Sequence, residues 1–258
     1  MKFRPCIDLH KGQVKQIVGS TLVDGSPEKL ETNFTAYHPP EWYARLYRAD
    51  NLTGGHIIML GPGNDDAATE ALAAWPGGMQ VGGGISAENA VLWLERGASH
   101  VIVTSWVFRQ GFIDSNRLHI LRNEIGRERL VLDLSCRRQG DDYFIVTDRW
   151  QTFTEVKISN ETLAELAGSC NEFLIHAADV EGKCSGVDRD LVELLGEFTP
   201  IPTTYAGGIR DLADLELIRV AGNGKLDATI GSALDIFGGH FMRYDEAVEY
   251  HRKYSRNV

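Results

Sequence analysis

Two aspartates close short apolar runs at well-separated points of the chain. Asp8 ends F-R-P-C-I-D and Asp133 ends L-V-L-D, 125 residues apart. Each run has the length of a buried strand, and each gives way to a polar turn. A pair of carboxylates suits proton transfer at two atoms of one molecule. Burial and neighbouring charge separate their pKa values until one holds a proton and the other does not. An exposed Asp titrates at about 3.9 and is a poor acid at neutral pH. In a closed site beside an anionic ligand its pKa should rise. The expected chemistry is acid–base isomerisation or ring opening, with neither metal nor cofactor. Each Asp also has an ordinary alternative, as a helix cap or as the partner of a base such as Lys11 or Arg137.

Two glycine stretches offer a place for the anion. V-G-G-G-I-S at 81–86 and Y-A-G-G-I-R at 205–210 each follow an apolar run and precede a helical pattern. Without side chains, the backbone N–H groups of Gly83, Gly84, Gly207 and Gly208 can approach a phosphate, and a following helix N-terminus adds positive potential. Thr104 and Ser105, and likewise Gly231 and Ser232, stand at the next strand ends and add hydroxyl and amide donors. The plain alternative is a tight turn with no ligand. Two such stretches in register, each backed by a second donor cluster, favour a substrate carrying a phosphate at each end.

Five further residues are candidates for binding. His10 follows Asp8 by two positions and either contacts substrate or is solvated. His176 ends an apolar run and reaches the mouth of the site or satisfies its rim. Trp150 lies in a loop and stacks on a planar heterocycle or covers the rim. Arg137, in a basic pair, and Arg210, beside the second glycine stretch, hold phosphate or face solvent.

These residues need strands that end together. Apolar runs are expected at 3–8, 56–60, 79–81, 100–104, 130–134, 173–176, 203–206 and 228–230. Helical patterns are expected at about 39–49, 65–75, 86–96, 115–125, 159–167, 188–195, 211–220 and 239–254. Trp42, Leu46 and Ala49 are expected to share one face of the first helix, and Ser86 to cap the third. An extended piece is expected at 143–147. A polar excursion at 19–38 reads as an active-site cover. Eight strand–helix units in about 250 residues fit one (β/α)8 barrel, an α/β fold whose sites lie at the carboxyl ends of the strands.

The pattern also repeats. Gly83 and Gly207 are 124 apart, and Thr104 and Gly231 are 127 apart, close to the spacing of the aspartates. A single domain over 1–258, made of half-barrels at about 1–127 and 128–258, is the expectation. Strands 1 and 5 of an eight-stranded barrel are opposite each other, so Asp8 and Asp133 should face across the mouth.

Bulk composition agrees. A hydrophobic share of 43% and a charged share of 24% are those of a globular chain. A net charge of −10 argues against nucleic acid and anionic membranes as partners, so an anionic ligand must be caught by local features. Four scattered cysteines without a CxxC pair favour free thiols in a reducing compartment. No membrane helix or signal-peptide pattern is present. A cytoplasmic, monomeric enzyme is expected.

The chain resembles the family of histidine-biosynthesis isomerases that act on phosphoribosylformimino-aminoimidazole-carboxamide ribotide, in its eukaryotic form. The matching stretches are P-C-I-D-L-H-K-G-Q-V-K-Q at 5–16, V-G-G-G-I at 81–85, L-V-L-D-L-S at 130–135, R-W-Q at 149–151, H-A-A-D-V-E-G-K-C-S-G at 176–186 and Y-A-G-G-I-R-D at 205–211. The resemblance implies an Amadori rearrangement of an aminoaldose to an aminoketose, on a ribonucleotide with two phosphates. It implies Asp8 as the general base at C2′, Asp133 as the general acid at the ring oxygen, both glycine loops as phosphate sites, and Trp150 stacked on substrate.

The chain departs from the bacterial members of that family in several places. It carries His176 where bacterial members have Thr, and Ser86 where they have Arg; the segments 61–66 and 19–38 also differ. A sister cyclase, which works with an ammonia-supplying glutaminase, shares the aspartates and loops. Its pattern expects a Lys in G-x-V-V-K, where this chain has G-Q-V-K-Q. A non-catalytic sugar-phosphate sensor would need neither Asp.

Overall fold

The computed structural model describes residues 1–17, 32–148 and 150–255. Eight parallel strands form its centre: β1 Cys6–His10, β2 Gly55–Met59, β3 Met79–Gly82, β4 Val101–Val103, β5 Leu130–Asp133, β6 Glu172–His176, β7 Thr203–Ala206 and β8 Leu226–Thr229. They hydrogen-bond in sequence order from β1 to β8. The ring then closes on itself. The Arg4 N–H reaches the Ala228 carbonyl at 2.8 Å, and the Ala228 N–H reaches the Lys2 carbonyl at 3.0 Å. A closed ring leaves no bare strand edge, and the middles of the strands, buried on both faces, are apolar, with polar residues kept towards the strand ends.

Each strand is followed by a helix that returns the chain: α1 Pro40–Ala49, α2 Asp65–Ala74, α3 Ala90–Glu95, α4 Ser115–Ile125, α5 Asn160–Ala167, α6 Arg189–Phe198, α7 Leu212–Ala221 and α8 Tyr244–Tyr254. Proline opens α1, where its missing N–H goes unmissed. The side chains of Asp114, Ser159, Asp188 and Asp211 cap α4 to α7 by accepting first-turn N–H groups. Each such cap is worth about 1 kcal/mol.

Several elements differ from expectation for visible reasons. The buried face of α1 is Pro40, Tyr43, Ala44 and Tyr47, whereas Trp42 stacks on His38 at 4.0 Å on the outside. The third helix starts at Ala90 rather than Ser86. The Asn89 side chain ties up the Ser86 N–H at 2.9 Å and the Gly84 carbonyl at 3.0 Å, holding a turn there. The last helix starts at Tyr244, after a short helical turn at Asp235–Phe237. The extended piece at 143–147 is the middle of a three-stranded antiparallel sheet, Cys136–Gln139, Asp142–Thr147 and Thr152–Lys157, which rises from the end of β5. The equivalent excursion after β1 is antiparallel too, with Gln13–Ile17 paired to β1 and to Thr32–Thr35. The proposed cover at 19–38 falls outside the described residues as far as 31.

The barrel interior is layered. At the amino ends, Arg4 bonds Glu172 at 2.7 Å and Asp227 at 2.8 Å, while Gln80 bonds Glu172 at 2.8 Å. Desolvation offsets most of the attraction in such a network, but removing one partner would strand a buried charge at a cost of about 3–5 kcal/mol. It therefore pins β1, β3, β6 and β8 to one another. Above it lies an apolar plug of Ile58, Ile102, Val131, Leu174 and Ala206. The main core fills the space between the strands and the helices. The plug leaves only the carboxyl ends of the strands for polar chemistry.

Candidate active site

Alternation along β1 turns Ile7 and Leu9 to the helices and Cys6, Asp8 and His10 to the interior. Asp8 is partly buried, one step above the plug. Its carboxylate accepts a hydrogen bond from the Gln16 amide at 3.2 Å, and Gln16 in turn accepts one from the Ser232 hydroxyl at 3.3 Å. Burial raises the Asp8 carboxyl to about 7 and the charge of Glu181 adds to this, while His176 and Gln16 pull it back. That poises Asp8 to take up or release a proton at neutral pH.

Asp133 ends β5 in a richer environment. It accepts the Ser135 N–H at 2.9 Å and the Ser135 hydroxyl at 2.6 Å. Thr104 reaches its other oxygen at 3.4 Å, and the Nδ1 of His176 lies 3.5 Å away. Burial by itself would raise Asp133. The opposite charge of His176, its hydrogen bond and those of Ser135 outweigh that and hold it below the ordinary carboxylate range. Burial opposes the charge on His176, yet Asp133 first, then Glu181 and Asp8, raise it to about 9. His176, at the end of β6, thus feels both aspartates. The indole of Trp150 covers it at 5.7 Å between ring centres, at a position with φ of 66°.

One recess at the carboxyl ends joins Asp8 and His176 to Gly207, Gly208, Gly231 and Ser232, and is walled by Glu181 and Gly182. The first glycine loop, Gly83 and Gly84, lies across the barrel. A Cβ on Gly83 would sit 2.1 Å from the Met59 carbonyl oxygen, so only glycine passes there; Gly84 has open space on that side. The second loop is roofed over. A Cβ on Gly208 would meet the Gly186 carbonyl oxygen at 2.1 Å, and the Gly186 N–H bonds the Gly208 carbonyl at 3.0 Å.

The remaining candidates are placed as follows. The Ser105 hydroxyl accepts the Asp148 N–H at 3.1 Å. Arg137 pairs with Asp179 at 2.8 Å, and Arg210 with Asp211 at 3.0 Å, so both cations are turned to carboxylates rather than into the recess. His10 sits half-buried at the mouth.

Sequence reasoning passed over Gln16, Ser135 and Glu181. Alternation after the turn would have flagged Gln16, since Val14 and Gln16 share a face, and Ser135 follows Asp133 by two. Glu181 lies in the quoted 176–186 stretch, but no periodicity or spacing marks it, because its place depends on how the 177–187 segment folds over the mouth.

Two carboxylates shifted in opposite directions at the ends of opposed strands of a closed (β/α)8 barrel are an arrangement suited to acid–base chemistry, as in a barrel enzyme. Comparison with known proteins agrees. The family model described as "Histidine biosynthesis protein" matches residues 2–241. A Neurospora crassa protein named 1-(5-phosphoribosyl)-5-((5-phosphoribosylamino)methylideneamino) imidazole-4-carboxamide isomerase is 52% identical over 98% of this chain and 99% of its own. An isomerase of the same name from Saccharomyces cerevisiae is 46% identical over 98% of each chain. A chloroplastic one from Medicago truncatula is 52% identical over 100% of this chain and 84% of its own. The chain belongs to the histidine biosynthesis protein family.

Proposed function

We propose that this barrel is the isomerase its relatives are named for, converting the aminoaldose ribonucleotide to the aminoketose by an Amadori rearrangement. The observation that carries this reading is Asp8, poised near neutrality, facing an Asp133–His176 pair that holds a proton between them. Ring opening needs a proton delivered to the ring oxygen as its bond to C1′ breaks. The next step needs a base to remove the proton at C2′, the electron pair forming the C1′–C2′ double bond of an enaminol. Tautomerisation then gives the ketone.

Asp8, poised at about 7, serves as the base. Asp133 serves as the acid, drawing its proton from His176, with which it shares one; the imidazolium reloads the carboxyl as the ring oxygen takes the proton. Gly83 and Gly84 with Thr104 and Ser105 receive one phosphate. Gly207 and Gly208 with Gly231 and Ser232 receive the other, once the 177–187 segment lifts from them. Trp150 stacks on the imidazole. We read the barrel as one domain of duplicated halves, supported by the matching antiparallel excursions after β1 and β5. We also place it in the cytoplasm as a monomer. Four free thiols support a reducing compartment.

The test is to follow isomerisation of the purified aminoaldose by absorbance with wild type, Asp8→Asn and Asp133→Asn. Turnover in wild type and loss in both variants supports the assignment. Near-normal turnover in either variant overturns that residue's role. Activity only on the ketose with added ammonia would make the chain a cyclase.

A further inference from the structure

Below the base, three side chains converge that the isomerisation leaves unused or uses only in part. Cys6 on β1 and His56 on β2 are direct partners in the parallel register, so both point into the barrel side by side. Asp8 follows two residues up the same face. One donor atom from each of Cys6, Asp8 and His56 lies within 4.8 Å of the others. From this juxtaposition we propose that Cys6, His56 and Asp8 form an inhibitory site for zinc or a similarly soft divalent ion, with the fourth coordination position open to the recess.

Geometry supports it. Zinc bonds of about 2.3 Å to sulfur and 2.0–2.2 Å to nitrogen and oxygen set the donors of a tetrahedral site roughly 3.3–3.8 Å apart. Shifts of about half an ångström or less per donor bring these three into that range. Three protein ligands and one open position is the arrangement of zinc sites that can also hold a water or another ligand. A thiolate, an imidazole and a carboxylate select zinc over magnesium and calcium, which need shells of six or more oxygens.

The surroundings point the same way independently. The His56 ring is almost wholly buried and is seen in no hydrogen bond among the described residues, whereas its backbone N–H bonds the Pro5 carbonyl at 2.9 Å, so a ring nitrogen is available to a ligand. Burial, with His176 adding to it, holds His56 neutral, as a metal ligand must be. The contacts of the Cys6 sulfur are long, 3.6 Å to the Ile230 carbonyl and 3.9 Å to Gln16. Asp8 and Glu181 bring negative charge to the recess and Asp133 stands just behind it. Among the described residues His176 is the one positive group against them, and none of those lining the recess is Lys or Arg. Burial and the charges of Asp8 and Glu181 keep the Cys6 thiol protonated, so the ion must displace that proton to bind. Bound there, it takes the Asp8 carboxylate out of service. The inhibition rests on Asp8 being the base; the binding does not.

The experiment is a cobalt titration of the full chain after treatment with a chelator, read by absorption in the absence of substrate. One equivalent of Co2+ should give tetrahedral visible bands together with a near-ultraviolet thiolate-to-cobalt band, and Zn2+ should displace it. Cys6→Ser should abolish the thiolate band, and Cys6→Ser and His56→Asn should each weaken zinc at least about tenfold. Cys184→Ser, which alters the other thiol at the recess, should change neither. Circular dichroism checks that each variant is folded. X-ray absorption at the zinc edge of the wild-type protein needs no variant and should show one sulfur in the shell. Absence of the thiolate band, its survival in folded Cys6→Ser, its loss in Cys184→Ser, or a shell of nitrogen and oxygen only would overturn the site.

Discussion

Asp8 on β1 and Asp133 on β5 stand on opposed strands of the barrel and are shifted in opposite directions. Both close a parallel strand and both are followed by an antiparallel excursion. The difference comes from what the surrounding loops deliver. Asp133 receives two donors from Ser135, one from Thr104 and the charge of His176, which together overcome burial. Asp8 receives one amide and the repulsion of Glu181, which adds to burial. Neighbours in space thus set two like carboxylates apart, raising Asp8 to near neutrality and holding Asp133 low beside His176.

The comparison breaks most plainly in catalysis. Asp8→Asn and Asp133→Asn should each lower kcat/KM by roughly 10²–10⁴, the range set by removing a general base or acid. Steady-state kinetics on the aminoaldose measures this, and a loss confined to one variant would show that only one half carries chemistry.

In His176→Asn both aspartates should titrate higher. Without the imidazolium, Asp133 rises towards the ordinary carboxylate range and Asp8 climbs further. Wild-type kcat/KM should rise with pH as Asp8 loses its proton at about 7, and fall as His176 loses its own at about 9. The variant should lose at least about tenfold in kcat/KM and should no longer show the alkaline fall.

Stability should respond with opposite signs. The folded protein holds the Asp8 proton up to about 7, whereas the unfolded chain releases it at about 3.8. Ionised Asp8 therefore destabilises the fold increasingly across that window, and fully above it. At 1.36 kcal/mol per tenfold the cost is at most about 4 kcal/mol, and partial exposure reduces it to roughly 2. Asp8→Asn should then melt higher than wild type at pH 8, with the gain fading as pH falls below about 7. Asp133 titrates lower folded than unfolded, so its stabilisation is present above the unfolded value and lost as pH falls through the folded one. Asp133→Asn should melt lower than wild type at neutral pH. Thermal denaturation of both across pH decides the matter, and like signs would refute the split.

The smallest effect concerns Glu181. Glu181→Gln removes a charge that raises Asp8, so the acid limb of kcat/KM should move to lower pH. An unmoved limb would mean that the 177–187 segment leaves the mouth before catalysis.

Much of this protein was legible in its residues. Short apolar runs alternating with helical periods fixed eight strand–helix units, because burial on both faces demands such runs. Similar spacings suggested a repeat and pointed to the two aspartates as a pair. Helix starts were read well where a side chain caps them, as at Ser159 and Asp211. The start of α3 was read less well, where Asn89 intervenes, and the buried face of α1 was misjudged, since the aromatic Trp42 lies outside and Tyr43 and Tyr47 fill the core.

Composition and spacing by themselves determined the barrel, its carboxylates and its glycine turns, since these depend on local periodicity and on residues that recur at one offset. Only the tertiary structure decided their states. The protonation of Asp8 and Asp133 depends on charges brought from β6 and the 177–187 segment, about 40 residues from Asp133 and about 170 from Asp8 along the chain. Electrostatic interaction follows distance in space, which the closing of the barrel sets and the order of residues does not.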